Sequence, residues 1–152
     1  MAPRPIRLHP DPVLRERCAP VTSFDDALAV LARDMMDTMY AAPGRGLAAP
    51  QVGVALRLFV MDPGWKEGAP EPRVLVNPEV AWASEERATT EEACLSIPGR
   101  IVAVTRPAAV ALRWRDLDGT ARDGRFAGFE ATCLRHEIDH LDGVLCINRE
   151  DG

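Results

Sequence analysis

The stretch His136-Glu137-Ile138-Asp139-His140 decides how this chain is interpreted. Positions four apart lie on one face of an α-helix, one turn above the other, so the two histidines can bind a single metal ion. Glu137 stands beside the first histidine and can accept a proton from a water molecule on that ion. The pattern therefore predicts a metal-activated water with its own proton acceptor, which is the basic requirement for metal-assisted hydrolysis.

The residues around this motif favour a helix. At about 100° per residue, Phe129 and Cys133 share one helix face with the two histidines and the glutamate. Gly143 follows at a position typical of a helix end. The alternative is a surface helix that carries two histidines by chance, although two of the chain's three histidines lie in this motif. A separate face is apolar and built for packing: Leu134, Ile138 and Leu141.

Two histidines do not complete a metal site, because a catalytic zinc or iron(II) centre takes about three protein ligands and keeps one position open. Cys94 lies between two strand-like stretches, where a short turn can present its thiolate to the helix. The residue pattern alone does not choose the third ligand. Other candidates are the remaining cysteines, the acidic residues and the third histidine: Cys18, Cys133, Cys146, any Asp or Glu, and His9.

Two further stretches, together with the helix motif, resemble the three sequence motifs of the peptide deformylases. They are Gly44-Arg45-Gly46-Leu47-Ala48-Ala49-Pro50-Gln51-Val52-Gly53 and Glu92-Ala93-Cys94-Leu95-Ser96. The three motifs stand in the family's order and at similar separations, and the resemblance runs from about residue 6 to about residue 149. Three ordered motifs are far more specific than the helix motif alone.

The resemblance implies a role for each matching residue in the reaction. Cys94, His136 and His140 match the family's metal ligands, and Glu137 matches its general base. The residues that match the donors to the developing oxyanion are Gln51, through its side chain, and Leu95, through its backbone N–H.

The resemblance also implies where the substrate binds. Gly46 matches a backbone contact with the substrate, and its neighbours Gly44 and Arg45 are expected to line the same site. Phe129, Thr132 and Cys133 lie where the family forms its pocket for the methionine side chain.

The activity implied is removal of the formyl group from N-terminal formylmethionine of new polypeptides, with release of formate. The implied cofactor is one divalent ion, normally iron(II), with zinc, nickel or cobalt also able to occupy the site. The implied partners are N-formylated peptides and, transiently, the ribosome. Because Cys94 must be deprotonated to bind a metal, loading is expected to weaken at low pH.

Three other interpretations stay open at this point. One is a related hydrolase acting on another short N-acyl group. A second is a catalytically silent paralogue that binds metal or peptide, although binding alone does not require Glu137. A third is a zinc protease with the same short motif, which an upstream cysteine ligand disfavours.

Four positions depart from the family pattern, and they concern the substrate pocket and its surroundings rather than the catalytic atoms. Ala93 replaces a glycine, so its methyl group can crowd the substrate strand. Arg45 replaces an apolar residue and can narrow the cleft or favour an anionic substrate. Arg135 replaces a glutamine and is expected to form a surface ion pair with Asp139. Ile101 replaces an arginine, and the neighbouring Arg100 faces the other way on a strand.

A length of 152 residues predicts one deformylase-like domain spanning 1–152. The net charge of −5 argues against direct DNA binding. The four cysteines lack the close pairing of a disulfide framework.

The N-terminus lacks the apolar run of a signal peptide, and no stretch approaches the ~20 apolar residues that span a bilayer. We therefore expect a cytoplasmic monomer without membrane contact. Many family members continue beyond the equivalent of Glu150, so ribosome docking is expected less firmly than catalysis.

The periodicity predicts an α+β fold, with a helix first, antiparallel strands in the middle and the catalytic helix last. The first helix is expected over 25–40, with Ser23 or Thr22 as its cap. Asp118-Gly119 predicts a hairpin turn. A turn-rich loop is expected over 62–72. Strands are expected over 56–61, 74–76, 80–83, 101–104 and 110–114, with a bend at Asn77-Pro78 between the second and third.

Overall fold

The computed structural model describes residues 3–150, so the predicted domain ends at 1 and 152 lie outside the described residues. Within 3–150 the chain forms two α-helices, seven β-strands and three short 3-10 helices, and the predicted α+β class is confirmed. The helices are α1 (Asp26–Ala41) and α2 (Gly128–Leu141). The strands are β1 (Gly46–Ala48), β2 (Leu58–Met61), β3 (Arg73–Ala83), β4 (Arg87–Cys94), β5 (Ile97–Pro107), β6 (Ala109–Arg115) and β7 (Ala121–Ala127). The 3-10 helices are Pro12–Arg15, Ala49–Val52 and Cys146–Arg149.

The strands form two antiparallel sheets. Five of them pair in the order β1-β2-β3-β6-β7, while β4 and β5 form a separate two-stranded sheet. Side chains of β2 point alternately to opposite faces of the five-stranded sheet. Phe59 and Met61 pack with the apolar face of α2, whereas Leu58 and Val60 pack with α1. The five-stranded sheet is therefore covered by a different helix on each face.

Helix α1 buries the face that its sequence predicts. Leu28, Leu31, Met35 and Met39 are almost fully buried against β1 and β2. The predicted cap at Ser23 or Thr22 is wrong, because Asp25 adopts an extended backbone and its carboxylate accepts a hydrogen bond from the Leu28 N–H at 3.0 Å. An aspartate at this position also places a negative charge at the positive end of the helix dipole.

The sheet formed by β4 and β5 is predicted only in part: strand-like stretches are expected on both sides of Cys94, but bounds are predicted only for 101–104. Strand β5 extends over 11 residues, and its residues 101–107 pair with residues 87–93 of β4. Most of β4 is exposed, and only Glu92 and Cys94 are buried. Because one of these two buried positions is charged, β4 lacks the apolar alternation of a half-buried strand. The register shifts between Ala93 and Cys94, immediately before the turn at 95–96.

The expected bend at Asn77-Pro78 is a bulge within a single strand rather than a break between two. Asn77 has a backbone φ of 50°, and the register of β3 with β6 shifts between Val76 and Glu79. The Asn77 side chain accepts a hydrogen bond from the Val21 N–H at 2.8 Å and donates one to the Val21 carbonyl at 2.9 Å. This pair of bonds fastens the segment before α1 to the middle of the sheet.

Neither of the two α-helices within residues 3–150 combines the length and the apolar character that crossing a membrane requires.

We predict that Asn77→Ala lowers the free energy of unfolding by about 2–4 kcal/mol. The change removes two hydrogen bonds and forces alanine into left-handed backbone space. Asn77→Gly loses the same hydrogen bonds without the steric cost, so its loss should be about 1 kcal/mol smaller. Urea denaturation of the three proteins measures both effects. Equal stability of the alanine variant and the unchanged protein would contradict this account of the bulge.

Candidate metal centre

Helix α2 brings both histidines of the motif to one point. The Nε2 atoms of His136 and His140 lie 3.3 Å apart, and the two rings meet nearly edge to face. Both side chains are buried, and His140 is only 1% exposed. Two ring nitrogens that converge inside the protein form half of a ligand set for a metal ion.

Cys94 completes this group from the end of β4. Its Sγ atom lies 3.4 Å from Nε2 of His140, and the ligand atoms of Cys94, His136 and His140 all lie within 4.8 Å of one another. Among the described residues, Cys94 is the third-ligand candidate whose donor atom groups with those of both histidines. The three donors come from two elements, the β4–β5 sheet and helix α2.

Two of the three separations between donor atoms are close to those around a tetrahedral metal ion. With bonds of about 2.1 Å to nitrogen and about 2.3 Å to sulfur, two nitrogens lie about 3.4 Å apart and a nitrogen and a sulfur about 3.6 Å apart. The observed separations are 3.3 Å and 3.4 Å. One thiolate and two imidazoles also form a donor set that suits iron(II) or zinc better than magnesium or calcium.

A buried ionic network supports the centre, and sequence reasoning missed it. Glu92 accepts a hydrogen bond from Nδ1 of His136 at 3.0 Å and two from Arg106 at 2.6 and 2.9 Å. Arg106 also donates to Asp139 at 2.8 Å, and Arg149 reaches the same carboxylate at 2.8 Å. The sequence offers one indication of this network, since Glu92 and Asp139 lie within the second and third motifs. Their partner Arg106 lies in neither motif.

The expected surface pair between Arg135 and Asp139 is wrong. Asp139 is only 3% exposed, and its carboxylate faces Arg106 and Arg149 instead. The side chain of Arg135 is partly buried, and its Nε has no hydrogen-bond partner within residues 3–150. Burial lowers the pKa of Arg135. Asp139 therefore pairs with arginines from other elements, and not with Arg135 four residues before it on the same helix.

The network fixes the proton arrangement of His136. Burial opposes ionisation of Glu92, but hydrogen bonds from Arg106 and His136 outweigh it and lower the pKa of Glu92 to about 2. An ionised Glu92 can only accept at Nδ1 of His136, so a neutral ring carries its proton there and directs its Nε2 lone pair at the other two donors. The carboxylate thereby orients a ring that the metal site needs in one tautomer.

Glu137 lies on the cleft side of the same helix. It is 4% exposed, and burial raises its pKa to about 7. Its Oε1 atom is buried without a hydrogen-bond partner in the described part of the chain. A carboxylate with a free oxygen and a pKa near neutrality suits a group that takes up and returns a proton.

Gly46 allows strand β1 to pass directly over Glu137. A Cβ atom at Gly46 would lie 2.6 Å from Oε2 of Glu137, closer than real contacts permit. A Cβ at Gly44 would similarly lie 2.7 Å from the side chain of Leu95. Two of the three glycines of the first motif therefore let its backbone approach Leu95 and Glu137 closely.

Gln51 is held in one orientation beside Cys94. Its Oε1 accepts from the Ala48 N–H at 3.0 Å, and its Nε2 donates to the hydroxyl of Ser96 at 3.0 Å. The same Nε2 lies 3.7 Å from Sγ of Cys94. Gln51 is 2% exposed. Ser96, which sequence reasoning did not select, is thus a partner of the amide.

A cleft of about 330 Å³ opens onto these groups. His140 lies behind it and does not line it. The structure brings the other sequence-predicted site residues together around the cleft: Gly44, Arg45, Gly46, Gln51, Cys94, Leu95, Phe129, Thr132, Cys133, His136 and Glu137.

Three of the residues that depart from the family pattern lie in different surroundings in the structure. Ala93 is exposed at the cleft edge, and its φ is not positive, so a glycine is not needed for the backbone there. Ile101 is 64% exposed, and the neighbouring Arg100 pairs with Glu150 at 2.7 Å. Arg45 pairs with Glu67, so its charge is matched within the protein.

Comparisons with known proteins identify relatives of the whole chain. The family model for polypeptide deformylase matches residues 3–152. A peptide deformylase of Brucella suis is 50% identical over 149 residues, which cover 97% of this chain and 85% of that protein. The crystal structure of a Thermotoga maritima peptide deformylase superposes with a TM-score of 0.95 at 39% identity and covers all of both chains. A Legionella pneumophila structure with the same name has a TM-score of 0.93 at 42% identity, covering 99% of this chain and 87% of its own.

We predict that Arg106→Met lowers the free energy of unfolding by about 3–5 kcal/mol, because it leaves the buried Glu92 without an arginine partner and Asp139 with Arg149 alone. Arg122→Met is the matched control, since Arg122 pairs with Asp116 at the surface. The control should cost only a small fraction of that loss. Thermal and denaturant unfolding measure both variants. Equal losses for the two would mean that the buried network does not stabilise the fold.

Proposed function

The chain belongs to the polypeptide deformylase family, and we propose that Cys94, His136 and His140 hold the metal ion on which its hydrolysis depends. As a member of this family, the protein is a metal-dependent hydrolase that removes the formyl group from N-terminal formylmethionine of nascent polypeptides. The observation that carries the proposal is the convergence of one sulfur and two ring nitrogens within 4.8 Å. The comparisons support this substrate and not the other interpretations of the sequence.

The proposed native ion is iron(II), with zinc, nickel or cobalt as possible replacements. The thiolate of Cys94 and the two imidazoles support this choice, because hard oxygen-seeking ions avoid such donors. When bound, such an ion supplies Lewis-acid activation of water, lowering its pKa from ~15.7 toward ~7. Glu92 and Arg106 would maintain the donor geometry by holding His136 in one orientation.

Glu137 is the proposed general base and acid. Its unpartnered Oε1 is available to accept a proton from water in the cleft, and its elevated pKa allows it to pass that proton on. The departing group is the amino terminus of the peptide, which must gain a proton as the formyl C–N bond breaks. One carboxylate can therefore serve both proton transfers.

Gln51 and the backbone N–H of Leu95 are the proposed donors to the oxyanion that forms on the formyl oxygen. Gln51 is fixed by Ala48 and Ser96 before substrate arrives, so its amide needs no reorganisation during the reaction. Loss of one such donor typically costs about 2.7–4 kcal/mol of barrier.

The methionine side chain is proposed to enter the part of the cleft formed by Phe129, Thr132 and Cys133. The backbone at Gly44, Arg45 and Gly46 would contact the peptide chain. A side chain at Gly44 or Gly46 would collide with Leu95 or Glu137, so the two glycines let this backbone lie close to those cleft residues.

We further propose that the protein is one domain spanning 1–152 and acts in the cytoplasm as a monomer, without binding DNA. The family match over 3–152 supports the single domain. Its substrate is a nascent polypeptide, so a transient encounter with the ribosome is the proposed setting. The net charge of −5 means that such an encounter would need a local patch rather than overall attraction to RNA.

We predict that protein purified without oxygen and loaded with iron(II) releases formate from a formyl-Met tripeptide. Removal of the metal with a chelator should abolish release, and reloading should restore it. The acetyl-Met form of the same peptide is the matched control, and it should yield no acetate. If protein that carries one metal ion per chain releases no more formate than the background, the proposed function is overturned.

We predict opposite signatures for two cleft variants. Glu137→Gln should retain the metal and lose about 10²–10⁴-fold in kcat, because it removes proton transfer alone. Cys94→Ser should instead lose metal to a competing chelator more readily, since it replaces a thiolate ligand. Cys18→Ser controls for loss of a buried cysteine and should keep normal metal affinity. Unchanged metal affinity in Cys94→Ser would exclude that residue as a ligand.

A further inference from the structure

Arg45 occupies an unusual place between the two glycines at the edge of the cleft. Its carbonyl oxygen accepts a hydrogen bond from the Asp62 N–H at 2.8 Å and lies 3.7 Å from the thiol of Cys133 on α2. Its side chain is 27% exposed, so most of this long cation is covered by neighbouring groups. Both the backbone and the side chain of Arg45 are therefore fixed.

The guanidinium connects two separate elements of the cleft. On one side it forms a two-point ion pair with Glu67, with distances of 2.8 and 2.6 Å, and donates to the Pro63 carbonyl at 2.5 Å. On the other side its Cζ lies 5.5 Å from the centre of the Phe129 ring at the start of α2. We refer to Arg45, Glu67 and Phe129 together as the Arg45 clamp.

The loop that carries Glu67 is itself firmly held. Asp62 accepts hydrogen bonds from the Tyr40 hydroxyl at 2.6 Å and from the Glu71 N–H at 2.9 Å. Trp65 donates its ring N–H to the Gly44 carbonyl at 2.8 Å and packs edge-on against Tyr40. Glu67 thus approaches Arg45 from a loop fastened to α1 and to the first motif.

The clamp stands between two cavities. Arg45 and Phe129 line the catalytic cleft of about 330 Å³, and both also line an outer groove of about 540 Å³. Glu67 and Pro63 lie only on the outer side. The Arg45–Phe129 contact is therefore a wall shared by the cleft and the outer groove.

The positive charge of Arg45 is neutralised by its ion pair with Glu67. Its hydrogen bonds lower the pKa of Glu67, so the carboxylate stays ionised and paired through the neutral range. A guanidinium that is already paired attracts an anionic substrate only weakly. Arg45 therefore affects the shape of the substrate pocket rather than its charge.

We propose that Arg45 is a specificity-determining residue, which limits the size of the first substrate side chain by fixing Phe129 as one wall of the pocket. This inference rests on the proposed function of the cleft. Releasing Phe129 joins the cleft to the outer groove and admits side chains bulkier than methionine. Neither Glu67 nor Arg45 needs to touch the reacting atoms for this effect.

The test compares formyl-Met and formyl-Phe tripeptides by formate release from the iron(II)-loaded protein. Glu67→Gln keeps the shape of the side chain but removes its charge, and Arg45→Met keeps the apolar stem but removes the guanidinium. Glu71→Gln is the matched control, because Glu71 lies on the same loop and only its backbone N–H contacts Asp62 in the described contacts. Arg45→Lys keeps the charge without the two-point geometry.

We expect Glu67→Gln to raise the formyl-Phe to formyl-Met ratio of kcat/KM about two- to fivefold, the range of an exposed ion pair. The change should appear mainly as a lower KM for formyl-Phe. Arg45→Met should raise the ratio further, Arg45→Lys less, and Glu71→Gln should leave it unchanged. Adding Glu67→Gln to Arg45→Met should have no further effect, because the two residues act through one contact.

Several results would overturn this inference. Glu67 is exposed, so Glu67→Gln should fold normally. If this variant left the formyl-Phe to formyl-Met ratio of kcat/KM unchanged, the ion pair would not set specificity. An equal loss with both peptides would assign the clamp a purely structural role. Absence of formate from both peptides with the unchanged, metal-loaded protein would instead overturn the proposed function, and this inference with it.

Discussion

The buried ionic contact of Arg106 with Glu92 and Asp139 is the constraint on which the metal centre depends. Within residues 3–150 the β4–β5 sheet shares no strand pairing with the five-stranded sheet, so no ladder of paired strands sets the position of Cys94 relative to α2. Arg106 closes this gap because it reaches Glu92 across its own sheet and Asp139 on the helix. The sulfur of one element and the nitrogens of another can then occupy a single coordination sphere.

Burial of four charged or polar groups so close together is costly unless every one is satisfied. Here the guanidinium of Arg106 is shared by two carboxylates, and the second oxygen of Glu92 binds His136. An apolar replacement of the whole network would avoid the desolvation cost, but it would leave His136 free to rotate or change tautomer. The network is therefore better explained by the geometry of the site than by stability alone.

Local patterns predict much of this fold, and long-range pairings account for what they miss. The 3.6-residue period places His136, Glu137 and His140 on one face of α2, and the apolar stripe of α1 is buried as its spacing indicates. The bounds of strand β4 escape prediction because its inward residues include a glutamate whose partner lies 14 positions away. The expected partner of Asp139 is wrong for the same reason. Arg135 has the right helix spacing, but the observed partners are Arg106, 33 positions away, and Arg149, 10 positions away. Sequence spacing can indicate which charges are adjacent on an element, but not which of them a second element will bury.

The centre and the edge of the cleft are built from interactions of very different strength. Glu92 and Arg106 are each at most 5% exposed at the side chain, whereas Glu67 in the Arg45 clamp is 65% exposed. Removing a partner from a buried pair leaves an unsatisfied charge, but an exposed carboxylate that loses its partner is simply hydrated. Residues at the edge can therefore vary without disturbing the ligand geometry behind them. This difference explains how the chain can retain every matched catalytic residue while carrying an arginine at a position where its family usually has an apolar side chain.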